Sequence, residues 1–112
     1  MNKKQVELMT KAMNFMKEKE LTTIVRANHI VCFNTSLDYE LDEFNFIVPK
    51  NGYVIKVEYQ DYCSYVTLTI YKYENSKEQI TENRLFLNRK SNAKFIKEVF
   101  NDIYNWYEDL TK

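Results

Sequence analysis

Hydrophobic residues near both ends of the chain recur every three or four positions, the spacing of one face of an α-helix. Over residues 2–20 this stripe contains Val6, Met9, Met13 and Met16, widened by Leu8, Ala12 and Phe15. From about Asn92 to Leu110 it contains Ile96, Val99, Ile103, Trp106 and Leu110, flanked by Phe95, Phe100 and Tyr107. Ser91 or Asn92 is placed to cap the second helix. The pattern predicts one amphipathic helix at each end of the chain.

Between these helices the pattern changes to a period of two, which is typical of half-buried β-strands. It predicts strands over residues 21–33, 37–48, 53–59 and 65–73 and a short one over 84–87. The first is interrupted near Ala27 and Asn28, and a longer first helix is its alternative because no Gly or Pro ends that helix. Residues 49–52, Pro-Lys-Asn-Gly, are the strongest turn signal. Turns are also predicted at 34–36 and 60–64, and residues 74–83 are predicted to form a polar loop.

This order of elements predicts an α+β fold in a single domain, residues 1–112. Four or five strands form an antiparallel sheet flanked by an N-terminal and a C-terminal amphipathic helix, in two layers. A chain of 112 residues is long enough to bury a core and short for two domains. If both helices cover one face of the sheet, the other face stays partly open.

Charge and composition narrow the classes of partner. Sixteen basic and sixteen acidic residues give a net charge of +0. A general nucleic-acid coat is basic, because neutralising phosphates drives such binding, and a DNA mimic is strongly acidic. A charged partner must therefore be met by a local patch. No signal peptide or membrane span is recognisable, so a cytoplasmic location is predicted. Cys32 and Cys63 are then two reduced, buried thiols, although a disulfide stays open if their strands are neighbours.

The stretch from Ser36 to Phe46 places Leu37, Tyr39 and Leu41 on one side of a strand and carboxylates on the other. The carboxylates are Asp38, Glu40, Asp42 and Glu43. The phase slips by one residue after Asp42 and Glu43, which indicates a β-bulge or a tight break. A calcium loop needs Gly at its sixth position and Glu at its twelfth, and these hold Glu43 and Pro49. The interpretation is a half-buried strand whose acidic side is the best candidate for electrostatic docking.

Candidate chemistry is sparse. His29 is the only histidine, and in a strand it faces away from Cys32; pairing with Cys63 or a carboxylate is left open. A single glycine excludes phosphate-binding loops, no G-x-S-x-G is present, and four-ligand zinc sites of Cys and His are excluded by count. No catalytic, cofactor-binding or metal-binding residue is predicted.

Tyrosines follow one face of the predicted strand 65–73, where Tyr65, Tyr71 and Tyr73 alternate with the core residues and share their side with Thr67 and Thr69. If open, this face offers stacking platforms for the bases of single-stranded nucleic acid, although few basic residues interleave. Tyrosine is equally suited to protein contacts. Cross-strand packing under a helix and a homodimer seam are further interpretations.

These features favour a binding protein, an inhibitor or adaptor that contacts another protein with a basic surface. Frequent Lys, Asn, Ile and Tyr with little Gly, Pro or Ala indicates an AT-rich coding source. In size and composition alone the chain is similar to small proteins of phages and mobile elements, including inhibitors of host defence such as CRISPR nucleases. The predicted partner-binding residues are Asp38, Glu40, Asp42, Glu43, Tyr65, Tyr71 and Tyr73. The alternatives are a single-stranded nucleic-acid-binding domain that uses the tyrosine face and a small enzyme that uses His29.

Overall fold

A computed structural model describes residues 3–60, 65–88 and 90–112. Within these ranges the chain forms two helices and six strands. In chain order they are α1 (Lys3–Glu18), β1 (Thr22–Val25), β2 (His29–Phe33), β3 (Asp38–Leu41), β4 (Ile47–Tyr59), β5 (Val66–Glu74), β6 (Lys77–Leu87) and α2 (Ala93–Thr111). The predicted α+β class, with a helix at each end of an antiparallel sheet, is confirmed; the sheet has six strands where four or five were expected.

The strands follow one another in the order β1-β2-β4-β5-β6, and β3 pairs with β4 outside this path. Every pairing between neighbours is antiparallel. The segment 21–33 is a β1–β2 hairpin interrupted at residues 26–28, as the strand interpretation predicted. Most of the predicted turn at 60–64 lies outside the described residues.

The first helix ends without Gly or Pro. The amide of Leu21 donates to the carbonyl of Met16 at 3.1 Å, and the amide of Glu20 donates to the carbonyl of Lys17 at 2.9 Å. These two bonds form a Schellman motif, with Glu20 in the left-handed region at φ 63°. This motif ends the helix and excludes the alternative of a longer one.

The loop predicted at residues 74–83 is wrong, because β6 begins at Lys77 and pairs with β5 along most of this segment. Asn75 and Ser76 both have positive φ, 51° and 67°. A two-residue turn of this geometry matches the right-handed twist of a hairpin, so it joins long strands directly. The usual sequence of such a turn is Asn-Gly; because Ser76 stands in the second position, the sequence does not show the usual hairpin signal.

The turn predicted at Pro49–Gly52 is also wrong, because these residues lie inside β4. They mark a change of neighbours instead: β3 pairs with residues 47–51, and β5 pairs with β4 from Gly52 onwards. Gly52 has φ 122°, and a Cβ at this position would lie 2.9 Å from Leu37 Cδ1. Glycine at position 52 therefore allows β4 to pair with β3 before this residue and with β5 after it.

Both helices pack on one face of the sheet. The main core joins Leu8, Ala12 and Met16 of α1 with the apolar side of α2 and of the central strands. The buried residues of α2 are Ile96, Val99, Phe100, Ile103 and Tyr107. Its N-cap is Asn92, whose Oδ1 accepts from the Phe95 amide at 2.9 Å. The stripes are rotated slightly from prediction, since Val6 and Leu110 are exposed.

Candidate functional site

An exposed arm leaves the main sheet where β3 pairs with the first part of β4. We call residues 38–46, which comprise β3 and the turn after it, the β3 arm. All four residues of β3 are exposed, so the expectation of a half-buried strand is wrong. The reason is that β3 lies beyond the part of the sheet that the helices cover, so neither of its faces meets the core.

The arm carries four carboxylates and no Lys or Arg. Asp38 accepts from Asn51 Nδ2 at 2.9 Å, and Glu40 accepts from the Ser76 hydroxyl at 3.2 Å. Asp42 stabilises the turn after β3, because its Oδ1 accepts from the amides of Phe44 and Phe46 at 2.8 and 2.9 Å. The predicted phase slip is thus a tight turn closed by Asp42. The other three acids are exposed and available to a partner.

Large apolar side chains on the same arm are exposed beside these carboxylates. The exposed fractions are 47% for Tyr39, 56% for Leu41, 67% for Phe44 and 49% for Phe46. Phe44 and Phe46 lie with ring centroids 6.4 Å apart, and the Arg26 guanidinium lies 4.4 Å from the Phe46 ring centre. Clustered exposed aromatic residues are enriched at protein interfaces.

The second notable surface is the face of the sheet opposite the helices, which we call the open face. Within the described residues no helix packs on it. Paired residues of neighbouring strands point to the same face, which places Lys56, Thr69 and Arg84 in one row and His29, Glu58, Thr67 and Phe86 in the next.

Charged and phenolic groups on the open face form a hydrogen-bonded network. Lys56 Nζ lies 2.6 Å from Glu78 Oε2, and the Tyr73 hydroxyl donates to the same oxygen. The Tyr71 hydroxyl donates to Glu58 Oε1 at 3.0 Å, and Lys56 Nζ lies 4.6 Å from the Tyr71 ring centre. These contacts fix the phenols against their neighbours.

The predicted tyrosine residues do not form one patch. Tyr71 and Tyr73 are each 7% exposed and belong to a second, smaller core with Phe33 and Val54. Tyr65 is 45% exposed and packs edge-on against Phe86. It lies eight residues before Tyr73, about 26 Å along the strand. The structure therefore groups the four acids on the arm and separates them from Tyr65.

The sequence interpretation missed the network around Lys56. Lys56 and Glu58 alternate with buried Ile55 and Val57, so the period of two predicts that they lie on the face opposite the main core. The position of Glu78 beside Lys56 does not follow from the sequence pattern, because that pattern predicts a loop over residues 74–83.

We expect Tyr71 and Tyr73 to ionise late in an alkaline titration. Burial, then the hydrogen bond to Glu58, raises the pKa of Tyr71 to about 12, and burial with the Glu78 bond raises the pKa of Tyr73 further. Since an unfolded tyrosine titrates at about pH 10, the stabilisation from the neutral phenols is complete below that pH and is lost as pH rises through about 12. Phenolate absorbance measures the titration.

The matched controls are Tyr71→Phe and Tyr73→Phe, each of which should remove one late-titrating group from the curve. A curve in which all nine tyrosines ionise together near pH 10 would contradict the prediction.

His29 and Cys32 lie on opposite faces of β2, as predicted, because His29 pairs with Glu58 on the open face and Cys32 with Ile55 in the main core. His29 Nδ1 donates to Asn28 Oδ1 at 3.0 Å. Burial, then the charge of Lys56, lowers the pKa of His29, and burial raises the pKa of the Cys32 thiol to about 12. Cys63 lies outside the described residues.

Among the residues that the structure describes, no group of three or more His, Cys, Asp or Glu side chains is placed to hold a metal ion. Neither described helix has the length and apolar character needed to span a membrane.

Comparisons with protein-family models, curated proteins and solved structures find no match for this chain. The geometry of the β3 arm and the open face is therefore the basis for a functional proposal.

Proposed function

We propose that this protein is a binding domain, an inhibitor or adaptor, that docks through its β3 arm onto a basic surface of another protein. One observation carries the proposal: four large apolar side chains between 47% and 67% exposed share nine residues with four carboxylates and no basic group. Nothing in the described fold requires this combination, because the arm lies outside both cores.

Charge complementarity favours a basic partner. The chain has no net charge, so the arm is a local negative patch that steers encounter with a positive surface and disfavours acidic partners. The aromatic and leucine side chains supply the apolar contacts that hold the complex once formed. Proteins that handle nucleic acids present basic surfaces of this kind, because they neutralise phosphates.

The test separates charge from apolar contact. The wild-type chain is used to capture a partner from its source cells, and the identified partner is purified for titration. We expect Asp38→Asn with Glu40→Gln and Glu43→Gln to weaken binding at least about tenfold and to reduce its salt dependence. Leu41→Ala with Phe44→Ala should weaken binding by a similar factor without changing the salt dependence. Asp42 is left intact because it closes the turn.

The matched control is a triple replacement of exposed acids elsewhere, Asp102→Asn with Glu82→Gln and Glu98→Gln, which removes the same charge from other surfaces. It should leave the affinity within about twofold of wild type, since surface charges distant from an interface contribute little. If the arm variants bind as tightly as this control, the arm is not the docking surface.

A further inference from the structure

A cavity of about 120 Å³ lies on the open face beside the β1–β2 hairpin. Its apolar lining comes from β1, β2 and the first part of β4, and its polar lining comes from four side chains. The apolar residues are Ile24, Val31, Phe33, Ile47 and Pro49; the polar ones are Arg26, His29, Lys56 and Tyr73. The β3 arm borders this region, because Phe46 packs against Arg26.

The charges around the cavity are unevenly compensated. Lys56 and Tyr73 both bond Glu78, so the charge of Lys56 is already paired. The Arg26 guanidinium lies 4.4 Å from the Phe46 ring centre, and within the described residues it forms no ion pair with a carboxylate. His29 Nδ1 lies 3.0 Å from the acceptor Asn28 Oδ1, so Nε2 of the neutral ring carries a lone pair and does not donate to an anion. None of the residues that line the cavity is acidic. The lining thus combines apolar walls with one guanidinium, that of Arg26, which no carboxylate of the described residues pairs with.

We propose that this cavity binds a small carboxylic acid, with its apolar body against Ile24, Val31 and Phe33 and its carboxylate at the Arg26 guanidinium. The volume suits a branched aliphatic acid whose apolar part is smaller than benzene, because a cavity of about 150 Å³ holds benzene and this one measures about 120 Å³. A guanidinium binds carboxylates through two parallel hydrogen bonds, and this geometry selects an acid over a neutral analogue. This site is separate from the exposed face of the arm and does not depend on the docking proposal.

The probes are 3-methylbutanoate, acetate and the neutral 3-methylbutanamide, titrated into the full chain and followed by amide chemical shifts. We expect 3-methylbutanoate to shift the amides of Ile24, Val31 and Phe33 with saturation. Acetate should bind at least about tenfold more weakly, since each buried methylene is worth about fourfold in affinity. The amide should also bind about tenfold more weakly, since it lacks the charge.

Two variants locate the site. Arg26→Gln should weaken 3-methylbutanoate about tenfold, and Arg84→Gln, an exposed arginine on the same face but outside the cavity lining, should not. Val31→Phe places a ring in the cavity and should abolish the shifts; its folding is checked by an otherwise native amide spectrum. Arg26→Gln is measured in parallel, so the test holds even if the larger side chain is not accommodated.

The same chemistry exists at the C-terminus of a peptide, so Gly-Gly-Val with a free and with an amidated terminus forms a second arm of the experiment. Tighter binding of the free peptide than of 3-methylbutanoate identifies a chain terminus as the ligand, and the reverse order identifies a free acid. Equal binding of acid and amide, or shifts scattered away from the cavity, would overturn the proposal.

Discussion

Replacing Leu68 by Ala lowers the free energy of unfolding by about 2 to 5 kcal/mol. Leu68 is fully buried on the internal strand β5, where it pairs with Val57 on one side and Leu85 on the other. Its side chain lies in the main core, to which both helices contribute. Truncation removes three buried carbon atoms and leaves a space that strands fixed on both sides cannot close. Denaturant unfolding followed by circular dichroism measures the loss.

The matched control is the same replacement on the β3 arm. Leu41 is 56% exposed and belongs to neither core, so Leu41→Ala should change the free energy of unfolding by less than about 0.5 kcal/mol. Together with Phe44→Ala it is nevertheless expected to weaken partner binding. Equal destabilisation by the two leucine replacements would show that the arm is part of the core and would remove the basis for assigning it to docking.

Replacing Glu78 by Gln should lower the free energy of unfolding by about 0.5 to 1.5 kcal/mol. The variant preserves shape but removes the charge that faces the Lys56 ammonium; the Lys56 side chain is 17% exposed and that of Glu78 42% exposed, so water screens part of the attraction. It also weakens the acceptor of the Tyr73 hydroxyl. A partly buried ammonium without its counter-ion loses the attraction that offset the cost of its partial removal from water. Thermal or denaturant unfolding near neutral pH measures the effect.

The control is Glu74→Gln, which breaks the exposed pair with Lys72, and it should cost less than about 0.5 kcal/mol because both side chains remain in water. The double variant Lys56→Met with Glu78→Gln should recover part of the loss, since it removes the unpaired charge. A Glu78→Gln variant as stable as Glu74→Gln would contradict a structural role for the network.

Acid should abolish the difference between wild type and Glu78→Gln. Burial alone would raise the pKa of Glu78, but the hydrogen bonds from Lys56 and Tyr73 outweigh it, and the net pKa is below its ordinary value. A carboxyl group with a lowered pKa stabilises the fold above its unfolded pKa, and this stabilisation is lost as pH falls through the folded value. The difference in stability should therefore shrink as pH falls below the unfolded carboxyl pKa of about 4.3 and vanish below the folded pKa.

Local patterns correctly predicted several elements because their causes are local. The apolar stripe from Ile96 onwards and the side chain of Asn92 define α2 and its cap without reference to the rest of the chain. The alternation of Val66, Leu68 and Ile70 likewise identifies β5 and the face that it buries. Prediction from the sequence failed where the conformation of a segment depended on the strands that pair with it. Pro49 and Gly52 are turn residues in most settings. Here β3 pairs with β4 up to residue 51 and β5 pairs with it from Gly52 onwards, and these two pairings keep β4 extended.

The sequence by itself thus determined the α+β class, the two amphipathic helices and the acidic character of residues 38–46, since these follow from side-chain spacing and charge. Only the tertiary structure decided that Tyr71 and Tyr73 are buried, that Glu78 meets Lys56, and that the arm carries exposed apolar groups. Exposure and pairing depend on which strand or helix lies across a given face. That arrangement is fixed by contacts between residues far apart in the chain, and periodicity does not record them.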